Sequence, residues 1–188
     1  MTFWLGFARI VDELNARVAR AVGWLVLIMS LVSAGNAVSR KAFNLSSNAF
    51  LEAQWYLYAA VFLLAAGATL QRNGHVRIDL ITARLSLRTR LRLEIIGTVF
   101  LLVPFVSLVL HYSWPYFLDA LANREVSLNA GGLPVWPVKL LIPAGFALLL
   151  LQGAAQAIKA TAALRGQLSE DAVFASSPER RPDADAKR

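Results

Sequence analysis

Four stretches of this chain run for nineteen residues or more without an Asp, Glu, Lys or Arg: Ala21–Ser39, Ala53–Gln71, Ile95–Leu118 and Leu140–Ile158. At about 1.5 Å of rise per residue, nineteen helical residues cover roughly 29 Å, the hydrocarbon thickness of a bilayer. The pattern predicts spanning helices over about 18–39, 52–71, 94–118 and 139–159. Ahead of the first, Phe3, Trp4, Phe7, Ile10, Val11, Leu14 and Val18 recur at helical spacing, with Arg9, Asp12, Glu13 and Arg17 between them. That predicts an amphipathic helix over 1–17 lying in the membrane interface. A second amphipathic stretch follows the second span, where Leu80, Ile81 and Leu85 oppose Arg77, Arg84 and Arg88. Ser86 is placed to cap the helix leading into the third span. From 166 to 188 the chain is polar, with Pro178 and Pro182, and reads as a disordered tail after a membrane domain of residues 18–165. The expected fold is all-α and integral to the membrane, with four spans and amphipathic interfacial helices.

Composition sharpens this picture. Of 188 residues 57% are hydrophobic, mean hydropathy is +0.52, and 16% are charged, against about 25% in soluble domains. The net charge of +7 sits in loops beside apolar spans, which argues for lipid headgroups and against nucleic acid. Without cysteine there is no disulfide, thiolate nucleophile or cysteine-ligated metal. The first apolar run exceeds the 7–15 residues or so of a signal-peptide core, so it reads as a retained helix. Fifteen basic residues fall in the N-terminal segment, second loop and C-terminal tail; four fall in the first and third loops (Arg40, Lys41, Arg124 and Lys139). The positive-inside rule therefore places both termini in the cytoplasm.

Few residues are candidates for chemistry. Ser30 and Ala34 lie on a small-residue face of the first span, and Ala53, Ala60 and Gly67 repeat every seven residues along the second; both are helix-packing signals. Asn36 is expected to bond across to another helix. The positive helix N-terminus accounts for Glu52, read in the first turn, with Arg40 and Lys41 as candidate ion partners. Arg84, Arg88, Arg90 and Arg92 suit anionic headgroups. Pro104 is placed to kink the third span. Gly131 and Gly132, with Pro134 and Pro137, dictate a compact outer turn that has the means to cradle an anion. His75 and His111 lie near opposite ends of the membrane layer, which excludes paired haem ligation, and the spans hold no carboxylate for proton coupling. The chain reads as a non-enzyme, with no cofactor of its own.

The segment Arg72-Asn73-Gly74-His75-Val76-Arg77-Ile78-Asp79, closing a span opened by Glu52 and carrying Ala65-Ala66-Gly67-Ala68, resembles the small membrane subunit (DctQ-like) of tripartite ATP-independent periplasmic (TRAP) transporters. Glu125-x-Ser127 with Gly131-Gly132-Leu133-Pro134 looks like one branch of that family. The resemblance covers roughly residues 18–160. It implies a scaffold in a bacterial inner-membrane complex. A large membrane subunit would carry the substrate and sodium sites, and a periplasmic binding protein would deliver a carboxylate-bearing metabolite. On that reading Arg72, Asn73, Gly74, His75, Arg77 and Asp79 form a structural knot or large-subunit contact, with Arg77 pairing with Asp79 or a partner carboxylate. Arg40, Lys41, Glu52, Glu125, Ser127, Gly131 and Gly132 become docking candidates for the binding protein. The competing readings are a self-sufficient small transporter, or an anchor for another complex.

Overall fold

The computed structural model describes residues 2–44, 47–72, 85–168 and 173. Among these it holds helices α1 (Thr2–Phe43), α2 (Asn48–Gln71), α3 (Leu87–Gly97), α4 (Val103–Ala122) and α5 (Trp136–Leu164). A π-helical turn, Thr98–Leu102, joins α3 to α4. The helices long and apolar enough to cross a membrane are Phe3–Phe43, Asn48–Gln71, Leu87–Ala122 and Trp136–Leu164, the four expected spans with longer ends.

Two boundaries differ from the sequence expectation. The interfacial helix over 1–17 and the first span are one continuous 42-residue helix, about 63 Å long. No proline interrupts the chain there, and of the charged residues that suggested an interface Asp12 turns into the protein, as described below, while Arg9, Glu13 and Arg17 stay exposed. The helix leading into the third span begins at Leu87, ahead of the span start expected near 94, with Ser86 as its N-cap as expected, accepting from Thr89 N–H at 3.3 Å. The π-turn sits directly before Pro104. Proline has no N–H and its ring crowds the carbonyl four residues back, so the helix widens there, and Val103 N–H reaches Thr98 O five residues back.

Helix α5 is the hub. It packs against α1, α2, α3, the π-turn and α4, while α1 and α2 also pack on each other. A third of the apolar window of α5 is buried, against 6% in α1. Small side chains make this possible, because association within lipid depends on close approach rather than on hydrophobicity. A Cβ built on Gly145 would lie 2.6 Å from the backbone oxygen of Leu63 in α2. Gly145→Ala is therefore expected to push α2 off α5 and cost about 1–3 kcal/mol, read as a lower unfolding midpoint in detergent. The predicted seam on α2 holds in part: Ala60 and Gly67 are buried and Ala53 half-buried. Ser30 and Ala34, expected to pack, are exposed instead, and the Ser30 hydroxyl donates back to Val26 O at 2.9 Å.

The tail also starts with more order than its composition suggests. Gly166 (φ +70°) ends α5, its N–H bonding Ala163 O and that of Gln167 bonding Ala162 O, both at 3.0 Å, a Schellman closure. Leu168 and Val173 pack with Leu91 and Ala160, and Gln156 Nε2 donates to Val173 O at 3.2 Å.

Candidate partner-docking site

Two polar assemblies cap the bundle, one at each end. At the end away from the arginine-rich loop, Ser47 caps α2 by accepting from Ala49 N–H at 3.3 Å. The helix begins at Asn48, so Glu52 is its fifth residue and lies beyond the first turn. What holds Glu52 is the third loop. Its Oε1 accepts from the Ser127 hydroxyl and from Asn129 Nδ2 at 2.6 Å, and its Oε2 accepts from Leu133 N–H at 2.7 Å. Glu52 is 5% exposed. Its expected pairing with Arg40 or Lys41 is not formed; both cations are exposed at the end of α1. Direct hydrogen bonds to a carboxylate outcompete a flexible surface ion pair.

The loop is shaped to meet that carboxylate. Val126 and Pro134 form an antiparallel bridge, Ser127 N–H bonds Leu133 O at 3.0 Å and Val135 N–H bonds Glu125 O at 2.9 Å. Gly131 takes φ +71°, and a Cβ on Gly132 would meet the Ser127 side chain at 2.7 Å. The anion cradled near the glycine pair is thus the protein's own Glu52. Asn48 Nδ2 adds a 3.4 Å contact to Ala130 O. Lys139, buried at the start of α5, bonds the Glu125 carboxylate and lies 3.8 Å over the Tyr116 ring. Leu128 is left fully exposed at the tip, with Val126 half-exposed beside it. Of the expected docking residues, Glu52 and Ser127 face inward and tie the loop down, while Glu125 and Gly131 keep exposure.

At the opposite end, a network absent from the sequence reading joins three helices. Lys159 Nζ lies 3.0 Å from both carboxylate oxygens of Asp12. Gln152 Nε2 donates to Asp12 Oδ1 at 2.8 Å, and Asn15 Nδ2 donates to Gln152 Oε1 at 2.8 Å. Gln71 Nε2 reaches the Asp12 backbone oxygen at 3.2 Å. Asn15 and Gln152 are wholly buried and Lys159 is 9% exposed. A Cβ on Gly67 would sit 2.2 Å from Asn15 Oδ1, so this packing requires glycine there. The only sequence signal was Asp12 and Asn15 one turn apart on α1, with Gln152, Gln156 and Lys159 at similar spacing on α5.

Arg72 C-caps α2, its N–H bonding Ala68 O at 3.0 Å. Asn73, Gly74, His75, Arg77 and Asp79 of the expected knot, and Arg84, lie outside the described residues. Arg88 and Arg92 are exposed and Arg90 half-buried along α3. His111 is exposed, edge-on to Tyr112 at 5.1 Å. Among the described residues there is no cluster of three metal-binding side chains.

A four-span bundle whose polar groups are spent on tying helices and loops together has the form of a membrane component that works with others. The family model for "Tripartite ATP-independent periplasmic transporters, DctQ component" matches residues 29–163. The chain belongs to the DctQ family. It is thus the small component of a TRAP transporter, a multi-pass membrane protein in a family of transporter components rather than of enzymes. Comparison with curated proteins and with solved structures gives no match. The DctQ match spans α2 to α5 and most of the membrane part of α1, but it begins after Asp12 and Asn15.

Proposed function

We propose that the chain is the static scaffold of a sodium-coupled TRAP transporter in a bacterial inner membrane, with both termini cytoplasmic. In this reading it braces the large membrane subunit, which carries the sodium and substrate sites. Its outer loop contributes to the face on which a periplasmic binding protein delivers an organic acid. The observation that carries the reading is an open groove of about 630 Å³ between α1 and α2. Ser30, Ser33, Ala34 and Ala37 form one wall and Gln54, Trp55 and Tyr58 the other. Small residues beside the polar amide of Gln54, inside apolar spans and uncovered by this chain, suit a close-packed partner helix better than lipid tails. Asn36, expected to bond across to another helix, has its Oδ1 shielded and without a hydrogen-bond partner among the described residues.

Affinity purification of the C-terminally tagged chain from gently solubilised native membranes is expected to recover a many-span membrane protein in stoichiometric amount. Ala34→Leu, which fills the groove from an exposed position, is expected to abolish that recovery while leaving the chain monodisperse. Recovery of a stable homo-oligomer alone would reject the scaffold reading.

A further inference from the structure

A small cavity of about 160 Å³ lies at the Arg72 end of the bundle, beside the Asp12–Lys159 pair. Leu5, Ala8, Arg9 and Asp12 line it from α1, with Lys159 of α5 and Leu168 from just past that helix. Neighbours in the set Leu5, Ala8, Arg9 and Asp12 stand three or four positions apart across the cavity, so all four share one face of α1.

Charge, size and depth set what this cavity can hold. Asp12 is committed within the protein: Lys159 Nζ lies 3.0 Å from both of its oxygens, and Gln152 Nε2 donates to Oδ1 at 2.8 Å. It neutralises Lys159 and leaves Arg9 uncompensated, since Arg9 forms no ion pair among the described residues. The lining therefore carries one net positive charge, on a guanidinium whose planar fork suits two oxygens of a phosphate. The Lys159 ammonium keeps a further N–H beyond its two bonds to Asp12. The volume equals on the order of five water molecules at roughly 30 Å³ each. That is room for a phosphate group and too little for a nucleotide. Depth points the same way. Helix α2 ends at Gln71, whose Nε2 reaches the Asp12 backbone oxygen at 3.2 Å, so the cavity lies level with the end of a spanning helix. Headgroup phosphates occupy that layer of a bilayer.

We infer that this cavity is a phosphate site, with Arg9 as the bidentate donor, Lys159 as a second donor and Asp12 holding Lys159 in place. A phospholipid headgroup and free inorganic phosphate present the same group, and both reach this depth. The inference rests on the membrane-spanning fold and is independent of the scaffold reading.

The test uses the purified full-length chain, delipidated in a non-ionic detergent free of phosphate. It is titrated with inorganic phosphate, with dihexanoyl phosphatidylglycerol and with dihexanoylglycerol, which keeps the tails but lacks the phosphate; native mass spectrometry counts what stays bound. One equivalent of a phosphate-bearing probe is expected, and no dihexanoylglycerol. Binding of the phospholipid alone names a headgroup as the source, whereas binding of inorganic phosphate names the free ion. Retention of neither, or equal retention of dihexanoylglycerol, overturns the site. Arg9→Gln removes the fork from an exposed position and is expected to weaken binding about tenfold, with helicity and elution volume unchanged. Arg9→Lys keeps the charge without the fork and should fall between. Arg20→Gln removes another exposed cation of α1 and is expected to bind as the wild type does. Undiminished binding by Arg9→Gln, or an equal loss in Arg20→Gln, would replace the site with diffuse attraction. Glu170 and Asp171 follow Leu168 in the sequence and lie outside the described residues. Glu170→Gln with Asp171→Asn is expected to leave binding unchanged; binding that appears only in that variant would give the cavity to the chain's own carboxylates and overturn the inference.

Discussion

Asp12→Ala is expected to loosen the first helix from the bundle and lower the unfolding free energy of the purified chain by about 2–3 kcal/mol. The substitution strands the Lys159 ammonium, which has Asp12 as its carboxylate partner and is nearly buried. It also leaves Gln152 Nε2 without its acceptor. The figure sits toward the low end for a broken buried pair because the Asp12 side chain retains 25% exposure and water can partly replace it. Unfolding in a mixed-micelle denaturant series gives the measurement. The double variant Asp12→Leu, Lys159→Met provides the control, since exchanging both partners for apolar groups removes the stranded charge and is expected to recover most of the loss. If Asp12→Ala unfolds at the wild-type midpoint, the ion pair does not hold α1 in place.

Glu52→Ala is expected to have the second large effect, at the other end of the molecule. It removes the acceptor of a hydroxyl, an amide and a backbone N–H in one step. With those donors unanswered, residues 125–135 should open locally, and cleavage within the loop by an added protease should accelerate about tenfold or more, while the spans stay protected. Glu52→Gln tests the chemistry more finely. The amide preserves the shape but turns one acceptor into a donor facing donors, so an intermediate cleavage rate is expected. Helix content should be unchanged in both variants. Wild-type protease resistance in Glu52→Ala would show that the loop's own bridge and turn suffice. On the proposed scaffold reading, in which the outer loop meets the binding protein, the same variant is expected to slow uptake more than it weakens recovery of the large subunit.

These two variants mark where sequence reasoning was strong and where it fell short. The four spans were legible because exclusion of charge from nineteen consecutive positions is a local property, and so was the Ser86 cap, whose acceptor lies three residues from its donor. Pro104 announced a distortion for the same reason, although not its π-helical form. The continuity of α1 past residue 17 was misread because Arg9, Asp12, Glu13 and Arg17 look alike in a pattern. Arg17 pairs with Glu13 on the exposed surface at 2.9 Å. Asp12 turns inward to a lysine 147 positions away, and spacing alone has no means to separate the two.

Glu52 carries the same lesson in its distances along the chain. Its position near a helix start suggested a dipole interaction, a local cause, whereas its three partners lie 75 to 81 residues downstream. Sequence by itself determined the membrane class, the four spans and the small-residue seam through Ala60 and Gly67, because each depends on the immediate neighbours of a residue and on the solvent a helix must face. Tertiary structure alone decided which polar residues turn inward. A side chain bonds inward only where a partner from another helix arrives at the same depth, and that coincidence is created when α1, α2 and the third loop close around α5.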